Sequence, residues 1–173
     1  MLRPLIHFTM RTWLWWALGT SIAMLAIAHA FQTFGGLEPC HLCLQQREVY
    51  WVAIPIAAVG LIAGRVPATS RFAFVFGWLL AITFLVGTAI AVRHAGAEWK
   101  FWPAPAECSG SGGKVSAASI AALMQGSKFA PPQCDVAAWR FLGISMAGWN
   151  ALISLKLTGW SLAFGVWRQR NAA

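Results

Sequence analysis

Residues 12–37, TWLWWALGTSIAMLAIAHAFQTFGGL, contain no Asp, Glu, Lys or Arg. Bounded by Arg11 and Glu38, the stretch is long enough to cross a hydrocarbon core of roughly 30 Å, which takes about 20 helical residues. A second run, Phe72–Val92 (FAFVFGWLLAITFLVGTAIAV), is charge-free between Arg71 and Arg93. The chain has 173 residues, 58% hydrophobic and 10% charged. A soluble domain carries about 25% charged residues, so that class is excluded. A disordered basic tail is excluded too, because disorder requires low hydrophobicity. The formal net charge of +8 is then first a topology signal, and no nucleic-acid partner is expected.

Two less obvious crossings complete the pattern. The run before Gly64 contains Pro55 and is short, so it must borrow the preceding turn, which holds Arg47. The last run contains Lys156, which costs roughly 2.5–3.5 kcal/mol near mid-bilayer and is expected to snorkel or to face a polar partner. The expectation is an all-α, four-helix transmembrane bundle forming one membrane domain over 1–173. Crossings fall at about 13–34, 45–64, 72–92 and 144–167, with outer loops 35–44 and 93–143. Ala28-His29-Ala30 resembles a leader cleavage site, but its apolar run exceeds a usual signal core, so the first helix is expected to be retained.

Arg residues sort the two faces. Arg3 and Arg11, Arg65 and Arg71, and Arg168 and Arg170 lie in three segments without Asp or Glu. With four crossings these share one side, which the positive-inside rule makes cytoplasmic, both termini included. The five acidic residues, Glu38, Glu48, Glu98, Glu107 and Asp135, belong to the outward polar segments 35–48 and 93–141, the first of which includes the turn that leads into the second crossing. Trp13, Trp15, Trp16, Trp51, Trp78, Trp149 and Trp167 suit headgroup belts or plain lipid packing. In the second loop, Ser109–Gly113 reads as a flexible tether. Val115–Met124 reads equally as a helix lying in the membrane surface or as a plain loop helix.

All four cysteines fall in the outward segments: Cys40 and Cys43 as C-x-x-C, Cys108 and Cys134 spaced 26 apart. Four cysteines allow three connectivities, and close spacing makes 40–43 with 108–134 the leading one. Structural staples, a four-thiolate zinc site and redox chemistry compete. A C-x-x-C bridge closes too small a loop to remove much chain entropy. The wide second spacing departs from the usual zinc pattern. Redox chemistry is favoured, because a C-x-x-C dithiol opens and closes easily. Pro39 suits a first helical turn, which would set Cys43 near a helix N-terminus, where free N–H groups favour a thiolate. Arg47, at i+4 from Cys43, adds a cation on the same face.

Pro39-Cys40-His41-Leu42-Cys43 with Arg47, the Cys108–Cys134 loop, and Trp139-Arg140-Phe141-Leu142-Gly143 followed by Met146 and Trp149 resemble the DsbB family of bacterial inner-membrane disulfide oxidoreductases. The resemblance implies an enzyme, a quinone-dependent thiol oxidase with redox-active disulfides Cys40–Cys43 and Cys108–Cys134. Its partner would be a periplasmic DsbA-like thioredoxin-fold oxidase, attacking most readily at Cys108. Electrons would pass through Cys134 and Cys40 to Cys43, and then, with help from Arg47, to ubiquinone or menaquinone in the lipid. His94 would stand near the quinone pocket. His41 by its position in the C-x-x-C, and His29 and Gln32 at the outer end of the first helix, are weaker additions to the site. No metal is expected. Two alternatives remain open: a vitamin K epoxide reductase-like enzyme, in which the loop cysteines precede the C-x-x-C, and a non-enzymatic membrane protein with structural disulfides or zinc.

Overall fold

Small and apolar residues recur at helical spacing along each long segment and decide where the helices meet. The computed structural model describes residues 2–105, 108, 124 and 134–172. Helix α1 is Leu2–Thr33, α2 His41–Arg65, α3 the single turn Pro67–Ser70, and α4 Ala73–Glu98. A two-strand hairpin follows, β1 (Arg140–Phe141) and β2 (Ile144–Ser145), and leads directly into α5, Met146–Ala172. The tether Ser109–Gly113 and the surface helix expected from Val115 lie outside the described residues, apart from exposed Met124.

The four long helices run alternately up and down. Gly60 on α2 faces Phe76 on α4 and Leu14 on α1, while Gly87 on α4 faces Val49 on α2 and Ser154 on α5. The core joins Trp13, Leu14 and Ala17 of α1, Val49, Ala53 and Ala57 of α2, Leu80 and Phe84 of α4, and Leu157 and Phe164 of α5. The outward residues are just as apolar: Trp15, Trp16, Ile22, Val59, Ile82, Leu85 and Leu155 are exposed. Lipid is as apolar as such side chains, so helices associate through close approach of small residues and buried polar contacts. The seam of Ser21, Ser154, Thr158 and Ser161 is buried accordingly.

Gly77 marks the closest crossing. A Cβ there would lie 2.8 Å from the backbone of Gly165, so any side chain must push α4 off α5. Gly77→Leu is expected to cost about 1–3 kcal/mol, as overpacking does, read as a lower unfolding midpoint in detergent. Gly19→Leu, where a Cβ meets nothing within 4 Å, should leave the midpoint unchanged.

Three helices are long and apolar enough to cross a membrane: Ile6–Thr33, His41–Arg65 and Ala73–Glu98. The 27 residues of α5 span about 40 Å at 1.5 Å per residue. Its buried face is polar and it carries Lys156, so its mean hydropathy is lower. Together the helices make an all-α membrane bundle. Lys156 is exposed and has no hydrogen bond or ion pair among the described residues, so it faces away from the bundle interior. Helix α2 continues through Pro55.

Two local features differ from the expectation. Helix α4 runs on to Glu98, so His94 lies on its last turns rather than in a loop beginning at 93. The buried side chains of His94 and Glu98 sit one turn apart on the face that α4 already buries, and this favours continued helix. The hairpin at 140–145 has no counterpart among the sequence expectations. Its turn residues Leu142 and Gly143 have φ of 52° and 81°, the positive pair that two-residue hairpins use.

Candidate functional site

Pro39 fixes the approach to α2, and Cys40 is its N-cap, with Sγ accepting the backbone N–H of Cys43 at 3.4 Å. Pro39 therefore precedes the cap instead of occupying the first turn. The cap geometry brings the two sulfurs together: Cys40 and Cys43 are thiols, and the Cys40 S–H donates to Cys43 Sγ at 3.0 Å. That hydrogen bond, and then burial, hold the Cys40 thiol above its ordinary range. Cys43 is the acceptor of the pair and lines the cavity described below.

Cys108 and Cys134 form a disulfide, in agreement with the leading connectivity. Bonded to each other, they cannot serve as two of four zinc thiolates. The bridge is buried in one cluster with Cys40 and Leu42, and Cys43 and Ala104 pack against it. The chain after α4 makes this possible by doubling back. Trp102 donates from Nε1 to the carbonyl of Arg93 at 2.8 Å, and its ring lies where a Cβ of Gly96 would be. Lys100 then grips the residue after Cys134, donating to the Asp135 carbonyl at 2.9 Å and to its carboxylate at 2.6 Å.

The Lys100 ammonium holds the Asp135 carboxyl below its ordinary range. A folded-state value below the unfolded one means that the tie is complete above the usual Asp pKa, about 3.9, and is lost as pH falls below it. Lys100→Met should therefore speed amide exchange around residues 134–136 at neutral pH. The difference from wild type should shrink as the carboxyl is protonated. The effect is small, because the pair is exposed and screened by solvent.

Beside the sulfurs lies a cavity of about 630 Å³. Met24, Ile27, Ala28 and Phe31 of α1 give it an apolar wall, and Cys40, Cys43, Arg47, His94 and Glu98 supply the polar groups. The hairpin closes one side with aromatic rings. Phe31 and Trp139 are 5.1 Å apart, Trp139 stacks on Phe141 at 5.9 Å, and Trp149 donates to the Phe141 carbonyl. Arg47 reaches back to α1, donating to Gln32 Oε1 at 2.6 Å and to the Ala28 carbonyl at 3.0 Å. Helix α1 has no basic residue in its last turn, so Arg47 supplies the cation that its carbonyl end favours.

The structure thus gathers Cys40, Cys43, Cys108, Cys134, Arg47 and His94 at one end of the bundle. Gln32 joins the site through Arg47. His41 points elsewhere, to Gln45 at 3.2 Å on an exposed face, and His29 is not part of the cavity wall. Buried His94 is no surface histidine: its Nε2 lies 3.7 Å from Cys40 Sγ and 3.7 Å from Glu98 Oε1. Cys40, Cys43 and His94 bring three donor atoms within 4.8 Å of one another, enough for a soft metal ion by geometry alone. Gln46, Tyr50, Glu98 and Asn150 also line the cavity, and no motif in the sequence marks them. Polar residues one turn apart on otherwise apolar helices, Gln46 with Tyr50 and Asn150 with Ser154, were the available signal.

A membrane bundle that packs a disulfide against a dithiol, over an apolar cavity with a cation at its edge, defines a membrane thiol–disulfide oxidoreductase. Comparison with known proteins narrows the class. The family model for disulfide bond formation protein DsbB matches residues 10–164, and the chain belongs to that family. Proteins called disulfide bond formation protein B are similar to it. The one from Xylella fastidiosa (strain Temecula1) is 30% identical over 158 residues, covering 85% of this chain and 86% of the relative. That from Methylococcus capsulatus is 31% identical over 148 residues, covering 81% and 84%. That from Azoarcus sp. (strain BH72) is 28% identical over 131 residues, covering 75% and 76%. No solved structure gives a significant match. As a member of the DsbB family the chain is an enzyme of disulfide bond formation, a quinone-dependent thiol oxidase.

Proposed function

We propose that this protein re-oxidises a periplasmic, DsbA-like dithiol oxidase and passes the two electrons to the membrane quinone pool. The observation that carries the reading is the single buried cluster of Cys108–Cys134 with Cys40, with Cys43 packed against it. Thiol–disulfide exchange needs in-contact sulfurs, and here exchange between the pairs needs only local movement. A partner thiolate attacks Cys108 and frees Cys134. Cys134 then attacks Cys40 and releases Cys43 as a thiolate; the partner's second thiolate displaces Cys108 and leaves as a disulfide, and Cys108 reclaims Cys134, which frees Cys40 and leaves the C-x-x-C pair reduced.

The cavity fits a quinone. Its volume lies within the 300–1,000 Å³ of small-molecule sites, its α1 wall is apolar, and Glu98 Oε2 is buried with no hydrogen-bond partner among the described residues. Arg47, His94 and Glu98 would hold the polar end, and Met24, Ile27 and Phe31 the apolar body. Bound there, a quinone supplies the two-electron acceptor. Cys43, on the cavity wall, would be the reacting thiolate, with the rings of Trp139, Phe141 and Trp149 lining the same cavity. Ubiquinone and menaquinone both suit this chemistry.

The cysteine end is proposed to face the periplasm of a bacterial inner membrane and both termini the cytoplasm. Arg65 and Arg71 flank the turn at the opposite end, and Arg168 donates to the Ser70 carbonyl there at 3.3 Å. This gathers basic residues at one end, as a cytoplasmic face requires. The C-x-x-C precedes the loop cysteines in this chain, which speaks against the vitamin K epoxide reductase-like order.

Cys134→Ser tests the reading. With Cys134 gone, Cys108 is a free thiol, and its thiolate is expected to displace one sulfur of the oxidised thioredoxin-fold partner's disulfide and hold that partner as a mixed disulfide, seen as a reductant-sensitive mass shift. No capture, or capture through another cysteine, would contradict the assigned entry point. Wild-type protein in lipid discs should oxidise that partner's reduced form with matching quinol formation.

A further inference from the structure

Oxidising the dithiol requires Cys40 to lose its proton, and the hydrogen bonds around it restrict where that proton can go. Tyr50 donates its hydroxyl hydrogen to Asn150 Oδ1. Asn150 therefore presents Nδ2, which donates to Gln46 Oε1 at 2.6 Å. Gln46 in turn presents Nε2, which lies 2.9 Å from His94 Nδ1 and donates to it. A neutral imidazole that accepts at Nδ1 carries its hydrogen on Nε2. His94 is thus fixed as a donor toward Cys40 Sγ and Glu98 Oε1, each 3.7 Å away. A nitrogen already bearing a hydrogen cannot take the Cys40 proton.

Glu98 can. Its side chain is 5% exposed, it lines the cavity, and its Oε2 has no hydrogen-bond partner among the described residues. The other carboxylate on the wall, Glu38, is exposed to solvent. Among the described residues, the charged and titratable groups around Glu98 are His94 on its own helix, Cys43 and, on the same cavity wall, Arg47 from α2, and Arg140 from the hairpin, with the Ser145 hydroxyl beside it.

We propose that Glu98 is the proton carrier of this site: its carboxylate takes the proton Cys40 gives up and delivers it from Oε2 to the reduced acceptor's oxygen. His94 Nε2–H meanwhile stays with whichever of Cys40 Sγ and Glu98 Oε1 holds the negative charge. The inference rests on the quinone reading above. Two thiols and a quinone become a disulfide and a quinol. The S–S bond forms, and two electrons leave the sulfurs for the acceptor. Glu98 carries the Cys40 proton. The Cys43 proton leaves for the aqueous side when its thiolate forms, and the quinol's second proton enters from that side. Gln46, Asn150 and Tyr50 are positioning residues that hold the His94 tautomer.

The test uses the full-length protein in lipid discs and a readout separate from turnover. Time-resolved infrared difference spectra, recorded while added quinone oxidises the dithiol, should contain a transient carboxylic-acid C=O band that is absent in Glu98→Gln. In the Cys43→Ser background, the alkylation of Cys40 should show two-step pH dependence, collapsing to one step with Glu98→Gln. Turnover of Glu98→Gln should fall about a hundredfold, the low end for a positioned acid–base group. Added formate should restore part of the rate to Glu98→Ala. If the wild-type spectrum has no such band and the Cys40 profile is unchanged by Glu98→Gln, the proton role is overturned. If wild-type protein makes no quinol at all, the quinone reading itself fails.

Discussion

Cys43→Ala is expected to abolish quinol formation while leaving the helix start and the loop disulfide in place. The two roles of the motif separate cleanly. Cys40 is the N-cap, and it caps through the backbone N–H of residue 43, which Ala retains. The lost atom is the sulfur 3.0 Å from Cys40 Sγ, and without it no disulfide can form at this site. A lone Cys40 has no partner for a two-electron oxidation, so steady turnover should drop to the uncatalysed background. The Cys108–Cys134 bridge should persist, and a reduced partner should still form a mixed disulfide through Cys108. Quinol absorbance and a thiol count after one equivalent of reduced partner check both halves. Cys40→Ala should be equally inactive. It should also lose about 1 kcal/mol of helix stability with its cap.

Arg47→Met should slow quinone-linked turnover by about a hundredfold, in line with removing one preorganised charge from a reaction centre. It should also raise the KM for quinone. Its guanidinium uses two nitrogens on α1, at Gln32 and the Ala28 carbonyl, so removal also leaves two acceptors near the cavity edge unpaired. Lost hydrogen bonds to a charged group cost about 1.5–3 kcal/mol, so the unfolding midpoint should fall as well. Arg47→Lys keeps the charge but lacks the planar fork. It should recover part of the rate and little of the stability. Equal losses in Met and Lys variants would assign Arg47 to holding α1 alone.

The expected and observed pictures agree where information is local. Hydropathy marks the helices because each must satisfy its own backbone inside lipid. Arg positions mark the ends because charge partitions to the interface whatever the neighbouring helix does. The C-x-x-C pairs two sulfurs within one turn, and Cys43 follows from the cap. Glu98, by contrast, reads in the sequence only as one of five acidic residues of the outward segments, because Arg93 marks a charge-based boundary there. That residue is exposed and the helix simply carries it past. Lys156 likewise reads as a possible internal partner in one dimension, and rotation of α5 turns it outward.

The sequence by itself determined that this chain is a helical membrane protein with a dithiol and a second cysteine pair on one side of its bundle. Those properties are sums over neighbours in the chain. Only the tertiary structure decided what surrounds the sulfurs. Tyr50 meets Asn150 across 100 residues, Gln46 meets His94 across 48, and Arg47 meets Gln32 on α1. Each contact depends on which face a helix turns inward and on the order in which helices pack. A polar residue in a lipid-crossing segment must find a partner, but its spacing along the chain does not say which one.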